Sequence, residues 1–265
     1  MTTQHWLTLA QTALNEAGVA SARLDALLLL EDATGNNRAT ILAHPEALLS
    51  QQQLQQLADT LERRLQHEPM AYIRGHAEFY GHDFFITPDV LVPRPESESI
   101  ISLLKTLPTP KSIADIGSGS GVLAITAALQ TGAPTFAVDI DEACLTVVKH
   151  NAVNHSANVV CLAGDLLEPL QGQLVAVILA NLPYVPQNYP INEAAKHEPA
   201  LALYGGPDGL NLYRRLFTQT SDTKTQHIIT EALLSQHADL RKIATQNGYT
   251  LKQTDGLAQL FTVNK

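Results

Sequence analysis

The chain has 265 residues, 45% of them hydrophobic and 16% charged, with a formal net charge of −9 and no low-complexity tract. That length suits one domain of ordinary size with a smaller partner, and the composition excludes a disordered or fibrous chain. With 17 Lys and Arg against 26 Asp and Glu, the chain is not built to grip duplex nucleic acid by neutralising phosphates, and no stable nucleic-acid binding is expected.

Residues 1–11 lack a basic cluster followed by an apolar run, and the longest apolar stretch near the start, residues 26–30, is far too short for a bilayer. A cytoplasmic protein without membrane attachment is the expectation. Residues 1–70 read as a helical bundle domain. Trp6, Ala10, Ala13, Leu14 and Ala17 form one stripe before Gly18, and Leu24, Leu27 and Leu28 another before Gly35. A third helix starts with a capping box at Ser50 and Gln53, carries Leu54, Leu57, Leu61 and Leu65 on one face, and must stop before Pro69.

Residues 71–93 change character. Phe79, Tyr80, Phe84, Phe85 and Ile86 flank Gly81 and His82, which predicts two extended segments around a tight turn, a β-hairpin linker. Val92-Pro93-Arg94-Pro95 holds the backbone extended, and a helix is expected over residues 96–107. Over residues 94–265 short apolar runs alternate with helical patterns. Runs at residues 112–116, 135–138, 158–162 and 174–180 are followed by helices at 209–220 and 233–246 and strands at 227–231, 249–253 and 258–263. This is the pattern of an α/β domain with a largely parallel, Rossmann-like sheet covered on both faces. Cys144 and Cys161 form no C-x-x-C and the ten histidines no ligand spacing, so neither a disulfide nor a metal is expected.

Two segments carry chemistry. Asp115-Ile116-Gly117-Ser118-Gly119-Ser120-Gly121 falls where a strand ends and a helix begins, the place at which open α/β sheets bind ligands and glycine lets backbone approach them. Val122 stands where a dinucleotide fingerprint would place its third glycine, which favours S-adenosylmethionine over a nicotinamide cofactor. Asp139, ending the next strand, is placed to accept the ribose hydroxyls, and Asp165 and Leu166, after the third strand, to lie beside the adenine. A plain strand-end turn would use the same residue types. The second segment is Asn181-Leu182-Pro183-Tyr184, directly after a buried run. Methylating a planar nitrogen requires acceptors for its two N–H groups that aim the lone pair at the methyl. The Asn181 side-chain oxygen and the Leu182 carbonyl can serve, with Pro183 shaping the turn, Tyr184 stacking on the planar group and Asn181 also beside the cofactor.

These residues resemble the release-factor glutamine methyltransferases, known as PrmC or HemK, whose site motif is Asn-Pro-Pro-Tyr. The resemblance extends to Glu68-Pro69-Met70-Ala71-Tyr72-Ile73, to Val92-Pro93-Arg94-Pro95-Glu96-Ser97-Glu98, and to Glu198-Pro199-Ala200-Leu201-Ala202-Leu203 leading into Gly205-Gly206-Pro207-Asp208-Gly209-Leu210. It implies an enzyme that methylates the glutamine of the Gly-Gly-Gln motif in class I peptide-chain release factors, its helical domain helping to engage the factor; a monomer is the separate expectation. The chain departs from the family at Leu182, where the first proline is lost with its φ restraint, a loosening on the order of 0.4–1 kcal/mol. It departs also at Leu166, where an aromatic is common, and around residues 255–261, which lack basic residues. A nucleic-acid adenine methyltransferase and a catalytically weak S-adenosylmethionine-binding module are the competing readings.

Overall fold

The computed structural model describes residues 1–220 and 224–264. It divides into two compact units, Met1–Gly75 with Asn192–His197, and His76–Ile191 with Glu198–Lys265. In the first unit α1 (Thr3–Glu16), α2 (Ala22–Thr34), α3 (Arg38–Ala43) and α4 (Gln51–Leu65) bury Trp6, Leu14, Ala26, Leu30 and Leu57 in one core. The capping box of α4 is formed: Ser50 Oγ accepts from Gln53 N at 3.2 Å, and Gln53 Oε1 from Ser50 N at 2.8 Å. Arg64 of α4 reaches the buried Asp25 of α2 at 2.8 Å, which fixes the mutual register of those helices. The predicted linker begins differently. Met70–Arg74 form a short helix, α5, because Pro69 opens a helical turn and Gly75, at φ 77°, closes it.

The second unit opens with an antiparallel hairpin of β1 (His76–Phe79) and β2 (His82–Phe85). Its turn is Tyr80-Gly81, with φ of 53° and 76°, and so lies one residue earlier than Gly81-His82. Two successive positive φ values are what a two-residue hairpin turn requires. A 3₁₀ turn at Pro95–Ser97 leads into α6 (Glu98–Lys105). The alternating part follows: β3 (Ile113–Ile116), α7 (Val122–Thr131), β4 (Thr135–Asp139), α8 (Glu142–Asn154), β5 (Val159–Ala163), β6 (Val177–Ala180), α9 (Ala200–Leu203), α10 (Asn211–Gln219), β7 (His227–Glu231), α11 (His237–Gln246), β8 (Tyr249–Asp255) and β9 (Ala258–Val263).

Among the described residues the strands form a seven-stranded sheet of order β5-β4-β3-β6-β7-β9-β8, parallel as far as β7, with β9 antiparallel to both its neighbours. Every residue of β3 and β6 is buried, as central parallel strands covered on both faces must be. Ala124 of α7 and Val148 of α8 pack with Ala137, while Tyr213 and Phe217 of α10 and Leu240 of α11 join Ile116, Ile178 and Phe261 in a larger cluster. From β3 the chain winds outward through β4 and β5, then returns to β6 on the other side of β3. The topological switch therefore falls between β3 and β6, and a crevice opens at their carboxyl ends. Ile116 is paired with Ala180, so Gly117 and Asn181 leave the sheet at the same level.

Candidate active site

A cavity of about 270 Å³ occupies that crevice, walled by Gly117 to Ser120, Asp139, Asp165 with Leu166, and Asn181 to Pro183. The two predicted segments and both acids thus meet in one space. Gly121 and Tyr184 are not among the wall residues. Gly121, at φ 81°, starts α7, and a Cβ there would stand 2.9 Å from Val148 Cγ1, so it serves the packing of α7 on α8.

The first loop is held by Val138, whose carbonyl accepts from Gly117 N at 2.9 Å and from Ser118 N at 3.0 Å. Gly117 also admits its neighbour, since a Cβ would lie 2.9 Å from Leu182 Cδ2. Gly119 N donates to Asp139 Oδ2 at 2.8 Å, and Asp141 N to Asp139 Oδ1 at 3.0 Å. Burial raises the pKa of Asp139, and these amide donors counter part of the rise. Below it lies Asp115, whose Oδ2 accepts from Ala124 N at 3.0 Å while Oδ1 has no hydrogen-bond partner. Complete burial pushes this carboxyl up to about 7, with the charge of Asp139 adding to the effect.

Asp165 is ion-paired with Arg215 of α10, which also walls the cavity. Leu166 adopts the left-handed region at φ 52°, a conformation that costs a non-glycine residue about 1 kcal/mol. Cys144 of α8 is a further wall residue. Its thiol donates to Asp89 O at 3.5 Å, and burial together with Asp139, Asp141 and Asp89 pushes it up to about 12.

The second segment rests on a buried polar cluster. Asn181 Nδ2 donates to Ser97 Oγ at 2.9 Å, which leaves Oδ1 as the acceptor of that amide. Leu182 N donates to Tyr213 Oη at 3.2 Å, and the Tyr213 hydroxyl faces the backbone carbonyls of Glu231 and Ala180. Tyr184 Oη donates to Glu231 Oε1 at 2.9 Å. Glu231 is fully buried at the end of β7, and its Oε2 has no hydrogen-bond partner. Burial raises its pKa, opposed by the Ser97, Tyr184 and Asn181 side chains beside it. Burial and this carboxylate together push the Tyr184 phenol up.

The segment after the site is held from outside. Val185 N donates to Leu203 O at 2.9 Å, and Gly205 N to Val185 O at 3.0 Å. A Cβ at Gly205 would lie 2.2 Å from Pro183 O, and one at Gly209 2.0 Å from Tyr184 O. Gln236 Nε2 binds Tyr184 O at 2.8 Å and Asp208 O at 2.7 Å. Glu198, buried, pairs with Arg94 at 2.5 Å and accepts from Val92 N at 3.3 Å. The quoted Val-Pro-Arg-Pro and Glu-Pro-Ala-Leu segments therefore meet here, and Arg94 and Ser97 both wall the cavity. Sequence reasoning assigned no role to Ser97, Arg94, Tyr213, Arg215, Glu231 or Cys144. The first two stood inside a recognised motif, whereas nothing in the local spacing marked the others. Among the described residues no group of three or more His, Cys, Asp or Glu could hold a metal, both cysteines are free, and no helix is long and apolar enough to cross a membrane.

The fold recurs in solved structures at sequence identities that speak for the fold alone. A methyltransferase from Pyrococcus furiosus superposes with a TM-score of 0.54 at 17% identity, covering 78% of this chain and 100% of that one. A ribosomal protein L11 methylase from Lactobacillus delbrueckii subsp. bulgaricus gives 0.51 at 17%, over 68% and 84%. Residues 97–185 match the model of the ribosomal protein L11 methyltransferase (PrmA), and residues 5–75 that of the PrmC N-terminal domain. Fold and relatives define an S-adenosylmethionine-dependent methyltransferase. A release factor glutamine methyltransferase from Coxiella burnetii is 36% identical over 245 residues, 90% of this chain and 86% of its own length. Another from Moorella thermoacetica is 38% identical over 226 residues, 82% and 79%. The chain belongs to the release factor glutamine methyltransferase family.

Proposed function

We propose that the enzyme methylates the side-chain amide nitrogen of the glutamine in the Gly-Gly-Gln motif of class I peptide-chain release factors, working as a cytoplasmic monomer without stable nucleic-acid binding, and that residues 1–70 help engage the factor. The observation that carries the reading is the anchoring of Asn181: with Nδ2 bound to Ser97, its Oδ1 is an oriented acceptor in the cavity wall, one residue from the Leu182 carbonyl. The residues present fit the cofactor. Asp139 is a buried carboxylate whose oxygens each keep a lone pair beyond their amide partner, as a ribose diol requires. Ser118 Oγ is a buried polar atom without a partner in the same wall, and a Cβ at Gly119 would meet no atom within 4 Å. Asp165 and Leu166 would border the adenine, with Arg215 limiting how far the acid can turn.

S-adenosylmethionine, when bound, supplies an electrophilic methyl on a sulfonium. The protein's part is to prepare the nitrogen. Asn181 Oδ1 and the Leu182 carbonyl take the two amide hydrogens, holding the nitrogen with its lone pair out of conjugation, with Pro183 beside them in the cavity wall. The nitrogen releases one of these protons to solvent, and no dedicated base is needed. Tyr184, tied to Glu231, braces the loop.

The test is incubation of the protein with S-adenosylmethionine and an unmethylated release factor, read by mass spectrometry. One methyl on the Gly-Gly-Gln glutamine, reduced about 10²-fold in Asn181→Ala, is expected. Cofactor binding without methylation of the factor would overturn the assignment, and methylation of an adenine-containing oligonucleotide instead would replace it.

A further inference from the structure

We infer that Tyr213 is a positioning residue for methyl transfer, its hydroxyl holding the Leu182 backbone in the site loop by the hydrogen bond that a proline at 182 could not make. The inference rests on the function proposed above.

The Leu182 carbonyl is one of two acceptors for the substrate amide, so the peptide plane that carries it must not swing. A proline would fix φ through its ring and carry no N–H. Leucine leaves φ free and adds a donor. That donor is buried, and it finds Tyr213 Oη at 3.2 Å. The phenol is suited to the task because it is wholly enclosed and has few ways to move. Its one proton faces the Glu231 and Ala180 carbonyls, at the ends of the adjacent strands β7 and β6, and a lone pair remains for the Leu182 amide. Tyr213 thus ties the first residues of the loop to the rigid sheet beneath them. Leu182 gains a second anchor from its side chain, 3% exposed and set against Gly117. Ring and hydrogen bond are two solutions to the same restraint, and either one suffices.

Interchangeability gives the test. In purified full-length protein, Tyr213→Phe should lower kcat for the release factor about tenfold while the Kd for S-adenosylhomocysteine stays within twofold. In the Leu182→Pro background Tyr213→Phe should change kcat less than twofold. With each loss taken relative to its own background, an equal loss in both or no loss in either would overturn the inference. Hydrogen exchange of the peptide covering residues 178–186 reads the restraint without substrate: faster exchange in Tyr213→Phe is expected, and unchanged exchange contradicts it. Were the parent inactive on release factors, the assigned substrate would fail while the exchange result still decided the role of Tyr213.

Discussion

At the scale of single residues, the proposed reading of the site turns on which way one amide faces. An asparagine side chain presents an acceptor or a pair of donors according to a half-turn about its last bond, and only the acceptor can receive a substrate N–H. Ser97 makes the choice by taking Asn181 Nδ2 at 2.9 Å, and Glu231, buried beside both, disfavours the reversed amide, whose oxygen would face a carboxylate. Ser97→Ala should therefore lower kcat about tenfold with cofactor affinity unchanged, and an unaltered kcat would show that Asn181 is oriented by other means. The place of Asn181 in the cavity wall was legible in the sequence because it stood in a short motif directly after a buried strand. Ser97, Tyr213 and Glu231 lie 84, 31 and 47 residues from their respective partners Asn181, Leu182 and Tyr184, on the turn before α6, on α10 and on β7, and no local pattern joins them.

At the scale of elements, the loop that begins at Asn181 is clasped by the segment from Glu198 to Leu210. Two glycines let the backbones touch, and they differ from glycines that merely turn the chain. A Cβ at Gly209 would lie 2.0 Å from Tyr184 O, whereas one at Gly132, at a similar positive φ, would meet nothing within 4 Å. Gly209→Ala should cost about 2 kcal/mol or more, a fall in Tm of about 5 °C or more, and Gly132→Ala only the backbone strain of about 1 kcal/mol. Equal effects would mean that the clasp yields freely. The strand and helix pattern here was read correctly in outline, since apolar runs and caps are local. The exceptions were local conflicts: residues 70–74 became a helix between Pro69 and Gly75, and the 174–180 run is strand only from Val177.

At the scale of the whole molecule, the parallel sheet encloses acids that water would otherwise stabilise. Asp115 has its pKa raised to about 7 by burial, against an ordinary value near 4, so between those two pH values the folded protein holds a proton that the unfolded chain has lost. Unfolding free energy must then fall as pH rises through that window, by on the order of 4 kcal/mol at most from this group. Asp208 acts in the opposite sense, held down to about 2 by Arg214, but it lies on the surface and its effect is screened. Urea titrations of the cofactor-free protein from pH 5 to 8 should show stability declining, with the decline flattened in Asp115→Asn. A slope unchanged by that substitution would place the ionised acid in a better-solvated setting. The sequence marked Asp115 as the acid ahead of the glycine loop, while its enclosure depends on helix α7 and on β4 and β6, the strands on either side of it.

Cys144 gives the cavity a further property. A sulfonium is an alkylating agent, and a thiolate is a far stronger nucleophile toward it than an amide nitrogen, so a cysteine in the wall exposes the enzyme to alkylating itself. Burial, and after it the charges of Asp139, Asp141 and Asp89, push that thiol up to about 12, so that it stays a thiol at neutral pH. The acid that would receive the ribose therefore has a second effect: its negative charge adds to burial in holding the sulfur as a thiol, which leaves the methyl group for the nitrogen.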